Sequence, residues 1–321
     1  MRIDLLFGFL GSGKTTLARR ILEEWGPKER LGLIVNEFGD VGVDGEILQG
    51  NSIDVVELSS GCLCCTLKDS LLSAIEEMAA AAPLDHIVIE ATGVAEPEEM
   101  LKTFNDPSFM KDYELGPVTT VIDASKHARI RQVLGPFYEA QVEKADMLVL
   151  NKIDLADAEV LEQTRAAVKA VHPDAAIQFS ERGDIEIKDI MHGQASRVAA
   201  TYLERETATS HGHDHDHHHD HDHDHGALHA PADSCVLPAP DDVPHQRLTA
   251  FFAGLGDDIW RGKGFLVVDG TPSLVQYAMG ELEVTPAEAR DSYYLVLIGA
   301  QVDAESLGRR FADIQAGGAA A

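Results

Sequence analysis

The apolar run Ile3–Phe7 leads directly into Gly8-Phe-Leu-Gly-Ser-Gly13-Lys14-Thr15. The string matches G-x-x-x-x-G-K-[ST], and it stands where that pattern has physical meaning, after a strand and before a helix. Its glycines let successive backbone N–H groups point into one concavity that suits phosphate oxygens. The helix that follows adds the partial positive charge of its N-terminus. The loop residues Gly8, Gly11, Ser12, Gly13 and Thr16 are therefore candidate nucleotide contacts. Lys14 is expected to reach the β- and γ-phosphates, and the Thr15 hydroxyl to ligate Mg²⁺.

The rest of residues 1 to about 200 agrees with that start. Near-continuous apolar runs predict strands at Ile3–Phe7, Leu31–Asn36, Asp54–Leu58, His86–Glu90, Val118–Asp123, Met147–Asn151 and Ala176–Ser180. Such runs are what strands buried on both faces require. Helical patterns lie between them, for example Leu67, Leu71, Ile75 and Met78. Alternating strands and helices imply an α/β fold: a mostly parallel sheet flanked by helices.

Two strand ends extend the nucleotide reading. Glu90 closes Ile87-Val88-Ile89-Glu90 and precedes Ala91-Thr92-Gly93. A carboxylate there can join the Mg²⁺ shell, and the Gly93 N–H can approach the γ-phosphate; a Glu capping a helix gives the same string. Lys14 and Glu90 are the candidates for catalysis. Asn151-Lys152-Ile153-Asp154 follows the strand that ends at Asn151. Guanine offers two donors on one edge, and one carboxylate accepts both, so Asp154 can select guanine. Lys152 would lay its stem over the base and Asn151 would tie the loop together. Ser180 is a further candidate for the base pocket.

Three thiols, Cys62, Cys64 and Cys65, crowd Gly61-Cys-Leu-Cys-Cys-Thr66, between a strand and a helix. Thiols at a helix N-terminus have lowered pKa values, and thiolates bind soft and borderline metals such as Zn²⁺. Glu37, at the end of the adjacent strand, is an outside candidate ligand. Redox chemistry and buried structural cysteines are the alternatives.

Residues 211–225 read HGHDHDHHHDHDHDH, nine histidines and five aspartates, with prolines following. So little apolar surface predicts a disordered linker over 205–244. It separates a nucleotide-binding unit, 1–204, from a smaller unit, 245–321. Leu248, Phe251, Phe252 and Leu255, and later Leu307, Phe311 and Ile314, mark two helices. Phe265–Val268, Leu274–Met279 and Tyr293–Ile298 read as three strands of an α+β unit. Cys235 falls in the linker with no role. The net charge of −28 argues against nucleic-acid partners, which need Lys and Arg. It suits solubility or the attraction of small cations, or simply an acidic proteome. No run reaches 18 apolar residues, so no membrane partner is expected. Met1–Leu10 reads as a first strand rather than a signal peptide.

Taken together, GFLGSGKTT at 8–16, NEFGDVGVDGEIL at 36–48, GCLCC at 61–65, EATG at 90–93, NKID at 151–154 and RGKGFLVV at 261–268 resemble the CobW-like family of metallochaperone GTPases. These are relatives of the urease and hydrogenase nickel-insertion GTPases. The resemblance implies GTP hydrolysis with Mg²⁺, coupled to carrying zinc or cobalt on Cys62, Cys64 and Cys65. It also implies delivery to a client metalloprotein or metal chelatase in the cytoplasm. No arginine finger or residue that activates water is evident, so slow turnover is expected. Two rival readings stay open. One is a histidine-rich metal store with a vestigial nucleotide site, and the other a nucleotide switch without metal cargo.

Overall fold

The computed structural model describes residues 1–37, 54–59, 66–91, 93, 97–104, 112–193, 232–290 and 292–314. Seven strands build the first unit: β1 Arg2–Phe7, β2 Leu31–Glu37, β3 Asp54–Ser59, β4 His86–Glu90, β5 Glu114–Asp123, β6 Met147–Asn151 and β7 Ala176–Phe179. They form one sheet in the order β3-β2-β4-β1-β5-β6-β7, and every pairing is parallel. The apolar runs have their cause here, because both faces are covered. Leu6 turns toward Leu17, Ile21 and Trp25 of the helix Lys14–Trp25. Ile3, Leu5 and Phe7 turn the other way, toward Leu71, Ile75 and Met78 of the helix Thr66–Ala81. The chain leaves β1 for one side of the sheet and later returns to pair β5 on the other. That reversal opens a crevice at the carboxyl end of β1, the usual place for a ligand in such sheets.

The second unit holds β8 Asp233–Pro238, β9 Ile259–Val268, β10 Thr271–Ala278, β11 Glu281–Pro286 and β12 Tyr294–Gly299. These form an antiparallel sheet in the order β11-β10-β9-β12-β8. The helices His245–Ala253 and Ala304–Ala312 cover one face through Leu248, Phe251, Phe252, Leu307 and Phe311. The opposite face packs on the first unit. Trp260, Met279, Val296 and Ile298 share one buried cluster with Phe9 and Leu10 of the phosphate loop. The Phe9 and Trp260 rings meet edge to face, centroids 5.9 Å apart, a geometry worth about 0.5–1.5 kcal/mol beyond the area buried.

Two sequence expectations need correction. The second sheet has five strands rather than three. The segment 205–244, expected to be wholly disordered linker, contains β8, where Cys235 pairs Leu297 and Leu237 pairs Leu295. Cys235 is thus a core residue at 8% exposure, and burial pushes its thiol pKa up.

Candidate nucleotide site

The phosphate loop turns on left-handed backbone. Gly13, at φ 108°, precedes the helix Lys14–Trp25, and a Cβ there would collide with the Asn151 amide. Gly11 is also left-handed, and a Cβ on it would sit 2.6 Å from the Cβ of Ala278 in β10. The second unit therefore closes directly on the loop. Lys14 is buried and donates from Nζ to the Gly8 carbonyl at 2.9 Å and the Phe9 carbonyl at 3.3 Å. Burial lowers its pKa to about 8; Glu90 opposes that shift and Arg261 adds to it.

Thr15, in the first turn with Thr16, donates from Oγ1 to Glu90 Oε1 at 2.7 Å. Glu90 is 4% exposed. Burial raises its pKa, against the pull of Lys14, the Thr15 bond and Arg261. Its second oxygen, Oε2, and the Ser12 Oγ are buried without a hydrogen-bond partner among the described residues. Orphaned oxygens of this kind are costly unless a cation or a donor meets them. A hydroxyl beside a carboxylate is also the hard oxygen set that Mg²⁺ takes. Gly93 lies against the loop: a Cβ on it would stand 2.6 Å from the Leu10 nitrogen.

Asn151 joins the two loops. It is 2% exposed, donates from Nδ2 to the Ser12 carbonyl at 2.8 Å, and accepts at Oδ1 from Ser180 Oγ at 3.1 Å and Gly183 N at 3.0 Å. Lys152 adopts a left-handed conformation, φ 60°, and pairs with Asp123 Oδ2 at 2.8 Å. Asp123 also accepts from the Ser125 backbone and hydroxyl. Asp154 sits on the exposed turn Ile153–Leu155. Ser180 is buried behind this loop, bonded to Asn151 and accepting from Ile153 N. Its place is that of a brace. Asp123 is a site residue that motif reading passes over, although its register opposite Asn151 follows from two strands ending at one level.

A profile of the CobW/HypB/UreG nucleotide-binding domain matches residues 3–179. The chain belongs to the CobW/HypB/UreG family. As a member of this family of P-loop GTPases it is an enzyme of the GTPase class. A second profile, the cobalamin synthesis protein cobW C-terminal domain, matches residues 232–315. The zinc chaperone CobW of Pseudomonas aeruginosa is 33% identical over 308 residues, covering 84% of this chain and 78% of that protein. The zinc chaperone CobW of Sinorhizobium sp is 34% identical over 194 residues, covering 52% of this chain. There the chain spans 54% of the relative's length. The zinc-regulated GTPase metalloprotein activator 1 of Schizosaccharomyces pombe is 38% identical over 181 residues, covering 53% of this chain and 43% of that protein. The solved Zn(II)-bound YjiA GTPase from E. coli superposes with a TM-score of 0.45 at 21% identity, covering 98% of this chain and 99% of that one.

In this CobW-family chain Cys62, Cys64 and Cys65 lie outside the described residues, and Glu37 is described only as the last residue of β2. The elements on either side of the cysteines are β3, ending at Ser59, and the helix beginning at Thr66. Among the described residues no group of three His, Cys, Asp or Glu side chains is arranged to hold a metal ion. No helix among them is long and apolar enough to cross a membrane.

Proposed function

We propose that the chain is a GTP-driven metallochaperone. It binds zinc or cobalt through Cys62, Cys64 and Cys65 with Glu37, and delivers the ion to a client metalloprotein or metal chelatase. Asp154 selects guanine, Lys152 covers the base, and Gly8, Gly11, Ser12, Gly13, Lys14, Thr16 and Gly93 surround the phosphates. Thr15 and Glu90 would hold Mg²⁺; the buried, unpartnered Glu90 oxygen supports that assignment. Bound there, the ion neutralises charge on the phosphate oxygens. The thiolates require a reducing compartment, the cytoplasm.

The observation that carries the coupling is strand register. Val35 of β2 stands opposite Glu90, and Glu37 two residues on stands opposite Ser59, the last residue of β3. The strand bearing Glu90 and the strand entering the cysteine loop are thus separated by β2 alone, about 10 Å at ordinary strand spacing. Nucleotide-dependent ordering of such loops is a common switch. GTP would assemble a tight metal site, and hydrolysis would loosen it near the client.

The test is a metal titration of the Mg²⁺-loaded protein with GDP and with a non-hydrolysable GTP analogue. Zinc should bind about 100-fold tighter in the analogue form, a coupling of about 2.7 kcal/mol, and zinc must tighten the analogue by the same factor. Cys64→Ser should remove the tight site and Cys235→Ser should leave it. Equal affinities in the two nucleotide states would sink the switch, and equal GTP and ATP affinities would sink the role of Asp154.

A further inference from the structure

Arg261 belongs to the second sheet, on the face that meets the phosphate loop. In β9 it stands directly opposite Ala278 of β10 and Ile298 of β12. Residues directly opposite on neighbouring strands share a face. Both neighbours look onto the first unit. Ala278 is the residue that a Cβ on Gly11 would strike, and Ile298 lies in the cluster with Phe9 and Leu10. One residue earlier, Trp260 packs edge-on against Phe9. The β9–β12 register shifts at this point: Ile298 pairs Arg261 while Gly299 pairs Ile259, so Trp260 has no opposite number. A bulge bends a strand and re-aims its side chains, and bulges concentrate beside active sites. Here it directs Trp260 and Arg261 in succession toward the loop that cradles phosphate. The guanidinium charge is felt by both groups that flank that loop: it disfavours the Lys14 ammonium and favours the Glu90 carboxylate.

We propose that Arg261 is supplied in cis by the second unit to the terminal phosphate of bound GTP, stabilising the charge that develops on its oxygens as water displaces GDP. The inference rests on GTP hydrolysis at this site and adds a residue to it. In the hydrolysis a water oxygen bonds to the γ-phosphorus, the bond to the β–γ bridging oxygen breaks, one water proton stays on the released phosphate and the other passes to solvent, and GDP and inorganic phosphate leave. Arginine suits the role because it stays charged and presents a planar fork of donors to phosphate oxygens. Turnover then depends on seating the second sheet, because the same strand that carries Arg261 carries the Trp260 anchor. Arg261 opens the string RGKGFLVV, but nothing in that string points to the phosphate loop.

The experiment is single-turnover GTP hydrolysis by the full chain with Mg²⁺, for the unmodified protein, Arg261→Ala and Arg261→Lys. Affinities for GDP and for GDP with aluminium fluoride are measured alongside. Arg261→Ala should slow hydrolysis about 10³-fold, the low end for removing such an arginine. It should hold GDP affinity within about 3-fold, as a phosphate contact made mainly in the transition state requires. It should also lose the fluoride complex. Arg261→Lys should recover part of the rate, since it keeps the charge and loses the fork. Trp260 emission reports whether the seam is intact, and Arg261→Gln replaces the alanine variant should that one fail to fold. An unchanged rate in a folded variant overturns the proposal, as does a loss of GDP affinity equal to the loss of rate. An unmodified protein that hydrolyses no GTP overturns the proposed function itself, a separate outcome.

Discussion

Truncating Asn151 to alanine tests how the phosphate loop and base loop are held as one piece. The side chain gives one hydrogen bond, to the Ser12 carbonyl, and receives two, from Ser180 and Gly183. The Ser180 hydroxyl can rotate to another acceptor. The Ser12 carbonyl and the Gly183 amide cannot, and each buried orphan costs about 1–3 kcal/mol. The loss of stability is therefore about 2–6 kcal/mol, centred near 4. Urea unfolding followed by Trp25 emission, in a Trp260→Phe background, isolates the first unit, because these are the two tryptophans of the chain. The midpoint should fall with the slope unchanged. Mg²⁺·GTP at 100 times its dissociation constant should return about 2.7 kcal/mol. Ser180→Ala, which removes one of the three bonds, should cost about 1 kcal/mol. A loss below about 1 kcal/mol for Asn151→Ala, with GTP affinity unchanged, would mean that each loop holds its shape alone, and the bracing argument would be wrong.

Glu90→Gln keeps the Thr15 bond and removes a buried charge. Because burial raises the Glu90 pKa, ionising it weakens the nucleotide-free fold as pH rises from about the ordinary value of 4.5. The glutamine variant should thus melt higher than the parent at pH 7 without nucleotide, while Mg²⁺-dependent turnover falls about 100-fold or more. At the opposite end of the sheet His86 bonds Asp4 at 2.8 Å and Glu29 at 2.7 Å. Burial disfavours its charged form, but the Asp4 bond and charge, with Glu29, outweigh burial and the net shift is upward. Its stabilising contribution is fully present below about pH 6.5 and is lost as pH rises through the raised folded value. Melting curves from pH 6 to 8 should show that decline, and His86→Gln should flatten it; a parent curve as flat as the variant's would remove the ion-pair account. Deleting residues 211–225 should lower the number of weakly held metal ions per chain and slow uptake at scarce metal, with GTP turnover unchanged. Loss of the tight metal site in that variant would make the histidines true ligands.

The first sheet was legible because strands buried on both faces must be apolar throughout; β4 and β6 begin and end where their composition predicts. The phosphate and base loops were legible because glycine at a left-handed position and asparagine at a strand end leave marks in the sequence. The missed strands β8 and β11 are both sheet edges. An edge strand needs one partner and buries little: the polar Glu281–Pro286 has no fully buried residue, and β8 buries two, Cys235 and Leu237. Arg261 was hidden for another reason. Its charge acts on Lys14, more than 240 residues away in the chain, and the string RGKGFLVV does not encode which loop its first residue faces.

The seam between Trp260 and Phe9 also sets the order in which the molecule can be finished. A chain made from its N-terminus can fold its first sheet as a unit before the rest emerges. Phe9 and Leu10 then lack part of their cover until β9, β10 and finally β12 have left the ribosome and folded back, because Trp260, Met279 and Ile298 complete the cluster that the first unit begins around them. The phosphate loop, made before the second sheet, is therefore completed only after that sheet has folded. A nascent chain holds a half-covered apolar loop until β12 is made, and one that stalls before Ile298 keeps it.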